Sequence, residues 1–348
     1  MRLQNFIIPL TLLTACASAP DVKANDCGAF KDCLAKDGIA VLAPPDIAGP
    51  ILLTAGQGAV SFERYFGQAA SPIAIVPGGE IKPETHEALK SAGYDASLPW
   101  ISAADKAALK DSSIRRQVLE QTKDLPAEQQ QAILQMALAK AGSAPSQPGE
   151  MSDTEQGALT HELGHMWFVA AFQPEGEKVK TGHGYGGWAP DWLDETAAIL
   201  MENEALTEKR RKALKAMRAE DIYPLETFLT MEHPALKSAL ALNEKIALAK
   251  GLDAQEKNTS SRAIVLSGEE AEAFLKASGD SNPANFYSQT RGFADFLMAA
   301  TGDEQIFASL AAYLSGGGTF ENWLRQTNGL PDTLQDLDEG WAEWLSAR

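Results

Sequence analysis

The pentapeptide His161-Glu162-Leu163-Gly164-His165 is the part of the sequence best equipped for chemistry. In an α-helix, residues i and i+4 lie one turn apart on one face, so the two imidazoles can converge on a single metal ion. Glu162 projects beside them, within reach of a water on that ion. Zn²⁺ suits imidazole and carboxylate ligands and lowers the pKa of its water toward about 7. A carboxylate so placed takes the proton as the water attacks a carbonyl and then passes it to the leaving group, which makes Glu162 a general base and acid. One Zn²⁺ ion is the expected cofactor, with His161 and His165 as two of its ligands. Ala158, Leu159, Met166, Trp167, Phe168 and Val169 flank the motif, as a buried helix requires. The competing reading is a buried helix whose histidines merely bond to neighbouring carboxylates.

A catalytic zinc takes three protein ligands and keeps one open position. Glu195, in Trp188-Ala-Pro-Asp-Trp-Leu-Asp-Glu195, is the best third ligand downstream. Pro190 suits the first position of a helix and Asp191 its first turn. Trp192, Ile199 and Glu202 share the Glu195 face at helical spacing. Glu195 lies 30 residues after His165, enough for one helix to end, a loop to turn and a second helix to run back. Asp194 and His183 are the alternative ligands. Asp194 points about 100° away from Glu195 on the helix, so both cannot easily face one ion. A hydrogen bond to a ligand, or surface solvation, suits Asp194 better.

The two blocks together, HELGH and then Trp192-Leu-Asp-Glu-Thr-Ala-Ala198, resemble the gluzincin metallopeptidases, the thermolysin and aminopeptidase superfamily, and within it the peptidase-MA-like branch. The resemblance covers roughly residues 50–348 and is strongest at 158–204 and 284–346. It implies that Glu195 completes the zinc site and that the reaction is hydrolysis of peptide bonds. It also implies an active site in a cleft between two lobes, where a sheet-edge strand within 73–76 pairs with the substrate backbone. Hydrolysis develops an oxyanion that a second donor helps to stabilise. Phe286-Tyr287-Ser-Gln-Thr-Arg291 resembles the family's C-terminal helix with its catalytic tyrosine, which makes Tyr287 the matching donor. Arg291, one turn further on, suits either a substrate carboxylate or a structural ion pair.

The chain departs from the pattern in places. Ala171 and Phe168 stand where a metzincin would need His and Gly, which excludes that class. The interval to Glu195 is longer than in thermolysin or the aminopeptidases. It contains a Gly/His-rich insert, Thr181 to Trp188, whose His183 is a candidate for a lid or oxyanion role. No Gly-x-Met-Glu-Asn block precedes HELGH, and Met201-Glu202-Asn203 reads as coincidental, so nothing favours an exopeptidase. His86 and His233 stand outside any motif and read as surface or core residues. Two other readings compete with a peptidase: a catalytically inactive binding lipoprotein of gluzincin fold, and a zinc hydrolase of a non-peptide amide.

The elements that must position these residues follow from the rest of the chain. Its 348 residues, 45% hydrophobic and 22% charged, suit one large domain or two lobes. From Gly38 to about Ile81 the texture is β-like: Ile39–Leu42, Ile51–Leu53 and Ile73–Val76 are short apolar runs between Gly and Pro clusters. Helices are expected at 84–91, 103–120 and 126–141, the last from an Ile133, Leu134, Ala137, Leu138 stripe. Asn282-Pro283 opens a further helix that Gly302 ends. The stripe Leu334, Leu337, Trp341, Trp344 reads as core. The expected class is α+β: a strand-rich N-terminal lobe with helices at 38–150, packed on a mostly helical catalytic lobe at 151–348.

Residues 1–15 read as an export signal, because their apolar run is too short to span a bilayer. Leu13-Thr-Ala-Cys16 resembles the bacterial lipobox, which implies lipidation of Cys16 and a place on the outer membrane of a Gram-negative cell, facing the periplasm. Residues 16–37 then form a tether. Cys27 and Cys33, the remaining pair, suit a disulfide in that oxidising compartment. The expected contact with membrane is the lipid anchor alone. A net charge of −17 makes the chain a poor binder of nucleic-acid phosphates, so the expected partner is a peptide or protein substrate.

Overall fold

The computed structural model describes residues 27–141, 150–174, 187–234 and 282–348. The expected lipidation site Cys16 and the insert residue His183 lie outside them. Among the described residues the protein is mixed α/β, mostly helical, with one four-stranded sheet. Asp37-Gly38, both at positive φ (51° and 81°), form the two-residue turn joining β1 (Leu34–Lys36) to antiparallel β2 (Ile39–Val41). Left-handed turns of this kind match the twist of paired strands. The stretch expected as a tether therefore ends in a strand, just after a disulfide that joins Cys27 to Cys33.

β3 (Ile73–Pro77) and β4 (Ala96–Trp100) extend the sheet in the order β1-β2-β3-β4, and β2, β3 and β4 run parallel. Parallel neighbours need a crossover, supplied here by α1 (Pro45–Phe66) and α2 (Pro83–Ser91). This overturns one expectation. Ile51-Leu52-Leu53 belongs to α1, whose buried Ala48, Ile51, Ala55, Phe62 and Phe66 recur at helical spacing. Its glycines read as turn punctuation in the sequence, yet all lie within the helix, and one of them, Gly58, serves close packing. A Cβ on Gly58 would come within 3.0 Å of Thr160 Cγ2 and 3.2 Å of the Trp167 ring. The N-terminal part thus alternates strands with helices rather than forming a strand-rich lobe. The expected edge strand is also corrected: β3 is hydrogen-bonded on both sides, and the sheet edges are β1 and β4.

α3 (Ala103–Gln121) and α4 (Ala127–Ala141) form a helical hairpin close to the expected bounds. α5 (Asp153–Phe172) carries HELGH and begins where Ser152 accepts a hydrogen bond from Glu155 N–H. It is buried over most of its surface, with α1 on one side and α6 (Asp191–Met201) on another, while the face with Ala158, Glu162 and Met166 is half-buried. α7 (Glu204–Ala216), a short 3₁₀ turn at Ala219–Asp221 and α8 (Leu225–Phe228) follow. α9 (Pro283–Thr301) starts and stops as expected. Asn282 accepts from Ala284 N–H, Pro283 lies in the first turn, and Gly302 closes the helix at φ 67°. α9 packs on α6 and α7. α10 (Ile306–Ser315), α11 (Phe320–Leu324) and α12 (Leu334–Ser346) complete the chain. Leu337 and Trp341 are buried, and Trp344 stacks on Trp341 at 5.2 Å, so the C-terminal stripe is core.

Candidate metal centre

Two helices build the centre, and a glycine sets their separation. A Cβ on Gly164 would lie 2.7 Å from Ala198 Cα and 2.9 Å from Met201 Cγ. The glycine inside HELGH therefore lets the α6 backbone approach α5 closely, which delivers Glu195 to the histidines. His161 Nε2 lies 3.4 Å from Glu195 Oε1, and His165 Nε2 lies 3.7 Å from Glu195 Oε2. One ligand atom from each of the three residues falls within 4.8 Å of the others, and all three residues are buried. Ligands about 2.0–2.1 Å from a tetrahedral ion stand roughly 3.3 Å apart, so the spacing fits one ion. Both oxygens of Glu195 are buried, and the groups closest to them are imidazole nitrogens of His161, His165 and His233. That is a costly setting for a carboxylate, and a shared cation resolves it. The group can hold a metal ion.

Carboxylates hold both histidines from behind. His161 Nδ1 stands 3.0 Å from Glu202 Oε1, and His165 Nδ1 stands 3.1 Å from Asp194 Oδ1. An acceptor at Nδ1 places the ring proton there and leaves the Nε2 lone pair toward the ligand group, as a metal-binding imidazole requires. Glu202 also accepts from Arg210 Nη2 at 2.7 Å and Nε at 3.2 Å. Burial disfavours a charged His165, but Asp194 and then Glu195 outweigh it and raise its pKa to about 9. His161 is likewise raised: burial opposes the charge, and Glu195 and Glu202 overcome it. Burial pushes the Glu195 carboxyl up, whereas His161 and His233 draw it down more strongly, to about 2. The cluster is charged, with acidic groups matched to a cation.

The remaining residues divide. Glu162 is half-buried on α5, near enough to His165 and Tyr287 for its charge to raise the pKa of both. The Tyr287 ring lies 6.0 Å from the His161 ring, edge to face, with the Arg210 guanidinium 4.5 Å over its own face. Burial, then Glu195 and Glu162, push its phenol well above the ordinary value, so it stays a protonated donor. Asp194 faces His165 as an outer partner while Glu195 joins the ligand group. Arg291 donates to Asp295 at 2.7 Å, and Arg211 binds the same carboxylate at 2.8 Å, which is a structural ion-pair network.

Two residues set aside in the sequence belong to the centre. Glu202, in the run read as coincidental, partners His161; its place on the Glu195 helix face was the available signal. His233, read as a lone histidine, brings Nε2 to 3.3 Å from Glu195 Oε2. Nothing in its local sequence marks it, because only the return of the chain after α8 sets it there. Comparison with protein-family models, curated proteins and solved structures returns no match to this chain.

Proposed function

We propose that this protein is a zinc-dependent metallopeptidase of gluzincin type, exported and lipid-anchored at Cys16 in the cell envelope. One observation carries the reading. The carboxylate of Glu195, 30 residues beyond HELGH, lies 3.4 Å and 3.7 Å from the Nε2 atoms of the two histidines. Imidazole and carboxylate donors with an adjacent unligated carboxylate suit a hydrolytic zinc better than a structural one, which has no use for Glu162. The disulfide between Cys27 and Cys33 favours an oxidising compartment.

Zinc bound by His161, His165 and Glu195 would supply Lewis acidity and bring the pKa of a water toward about 7. Glu162 would accept a proton from the water that attacks the scissile carbonyl and return it to the departing amine. Tyr287 donates to the developing oxyanion, its phenol kept protonated by burial and by its acidic neighbours. Glu202 and Asp194 hold the histidine rings in register, and Arg210 holds both Glu202 and the face of Tyr287.

The test is metal content and hydrolysis of a diverse peptide mixture by wild type, Glu162→Gln and Tyr287→Phe. Glu162→Gln should keep its zinc and lose at least about a hundredfold in rate, within the ~10²–10⁴ typical of general acid–base catalysis. Tyr287→Phe should keep zinc and lose on the order of 10²–10³ in kcat. A wild type that binds zinc, cleaves nothing in the mixture and is indistinguishable from Glu162→Gln would mark a binding protein instead.

A further inference from the structure

His233 is gripped twice by one face of α6. Its backbone N–H donates to Asp191 Oδ2 at 2.7 Å, and its Nε2 lies 3.3 Å from Glu195 Oε2. Asp191 and Glu195 are four residues apart, one helical turn, so the two contacts are registered to each other. The ring is 3% exposed and clamped by α9, edge-on to Phe286 at 4.9 Å and beside Tyr287 at 5.2 Å. A buried imidazole packed solely as an apolar filler would gain nothing from facing a carboxylate oxygen. The three ligand atoms that fall within 4.8 Å of one another come from His161, His165 and Glu195, and His233 is outside that set.

We propose that His233 is a positioning residue for the metal centre, an outer donor that holds the ligand carboxylate of Glu195 by its Oε2 atom. The assignment rests on the metal centre proposed above and not on the reaction it performs. With Oε2 engaged by the His233 N–H, Oε1, the atom facing His161, is left for the metal. The carboxylate then offers one oxygen instead of two, which preserves a coordination position for water or substrate. Each protein ligand thereby has its own outer partner: Glu202 for His161, Asp194 for His165 and His233 for Glu195. At 3.3 Å and out of line, the contact is a close electrostatic approach that a small ring rotation converts into a hydrogen bond.

The experiment measures zinc affinity by chelator competition and the absorption bands of the cobalt(II)-substituted protein, for wild type and four variants. Outer partners of metal ligands are typically worth roughly 10–100-fold in affinity. His233→Ala should lose about that factor while still binding one ion, with the tetrahedral cobalt bands preserved. His233→Phe fills the ring volume without a donor and should be as weak as His233→Ala. His233→Gln, which restores an N–H, should recover most of the loss. Asp191→Ala removes only the backbone anchor and should lose less. Melting temperatures of the chelated variants report any general loss of fold. Wild-type affinity in His233→Phe would overturn the proposal, and so would loss of the tetrahedral bands in His233→Ala, which would make His233 a ligand. A wild type that takes up neither zinc nor cobalt would overturn the metal centre itself, and this assignment with it.

Discussion

Neighbouring carboxylates on α6 have different tasks because one helical step turns them about 100° apart. Glu195 faces both Nε2 atoms, whereas Asp194 faces Nδ1 of His165. If zinc occupies the proposed centre, Glu195→Ala removes a ligand and should abolish tight zinc binding in chelator competition. Asp194→Ala removes only an outer partner and should cost roughly 10–100-fold. The reverse ranking would make Asp194 the ligand. The Asp194–His165 pair also sets a pH dependence. His165 has a folded pKa of about 9, above its ordinary 6.5, so the pair stabilises the metal-free fold below pH 6.5 and that contribution is lost as pH rises through 9. A metal must displace the same proton. Zinc affinity should therefore rise by up to about tenfold per pH unit between pH 7 and 9. Calorimetry in buffers of different ionisation enthalpy should show proton release on binding; the absence of release would mean that His165 is already neutral.

At the level of elements, the centre depends on how closely α5 and α6 cross. Gly164→Ala would drive a methyl into the Ala198 backbone. Overpacking of this kind costs about 1–3 kcal/mol, and the displaced helix is the one that bears Glu195. Urea denaturation should show that loss, and zinc affinity should fall with it. Gly56, also helical but on α1, has nothing within 4 Å of its would-be Cβ. Gly56→Ala should instead stabilise by roughly 0.5–1 kcal/mol. Equal effects at the two sites would remove the argument for close approach. Local sequence made the ends of α9 readable, because Asn282, Pro283 and Gly302 each do a cap's work whatever lies around them. It misled in α1, where a glycine that serves packing, Gly58, looks the same as glycines that serve turns.

For the whole molecule, the helices that carry the ligands are also the helices of the core. Leu159, Leu163, Trp167, Trp192, Leu193, Phe286 and Phe293 belong to one buried cluster spanning α5, α6 and α9. A metal held by this group would therefore be linked to folding, because any cation that binds only the folded state stabilises it by mass action, by about 2.7 kcal/mol at a hundred times Kd. Removing zinc with a chelator should lower the melting temperature by several degrees, and adding it back should restore the value. A melting temperature indifferent to chelation would show that the folded protein holds no tightly bound metal at this site.

The sequence by itself determined that His161 and His165 share a face, as i, i+4 residues do in any helix, and it made Glu195 the best third candidate, with Asp194 and His183 left as alternatives. It determined the ends of α9 for the same reason: the local chemistry of Asn282, Pro283 and Gly302 suffices there. Tertiary structure alone decided that β3 is interior, because the alternatives differ only in which strands pair. It alone decided that Glu202 and His233 belong to the centre. The partner of Glu202 lies 41 residues away, and that of His233 lies back on α6, with α7 and α8 between them in the chain. Contacts of that span are made by packing of the core, and no local pattern of residue types records them.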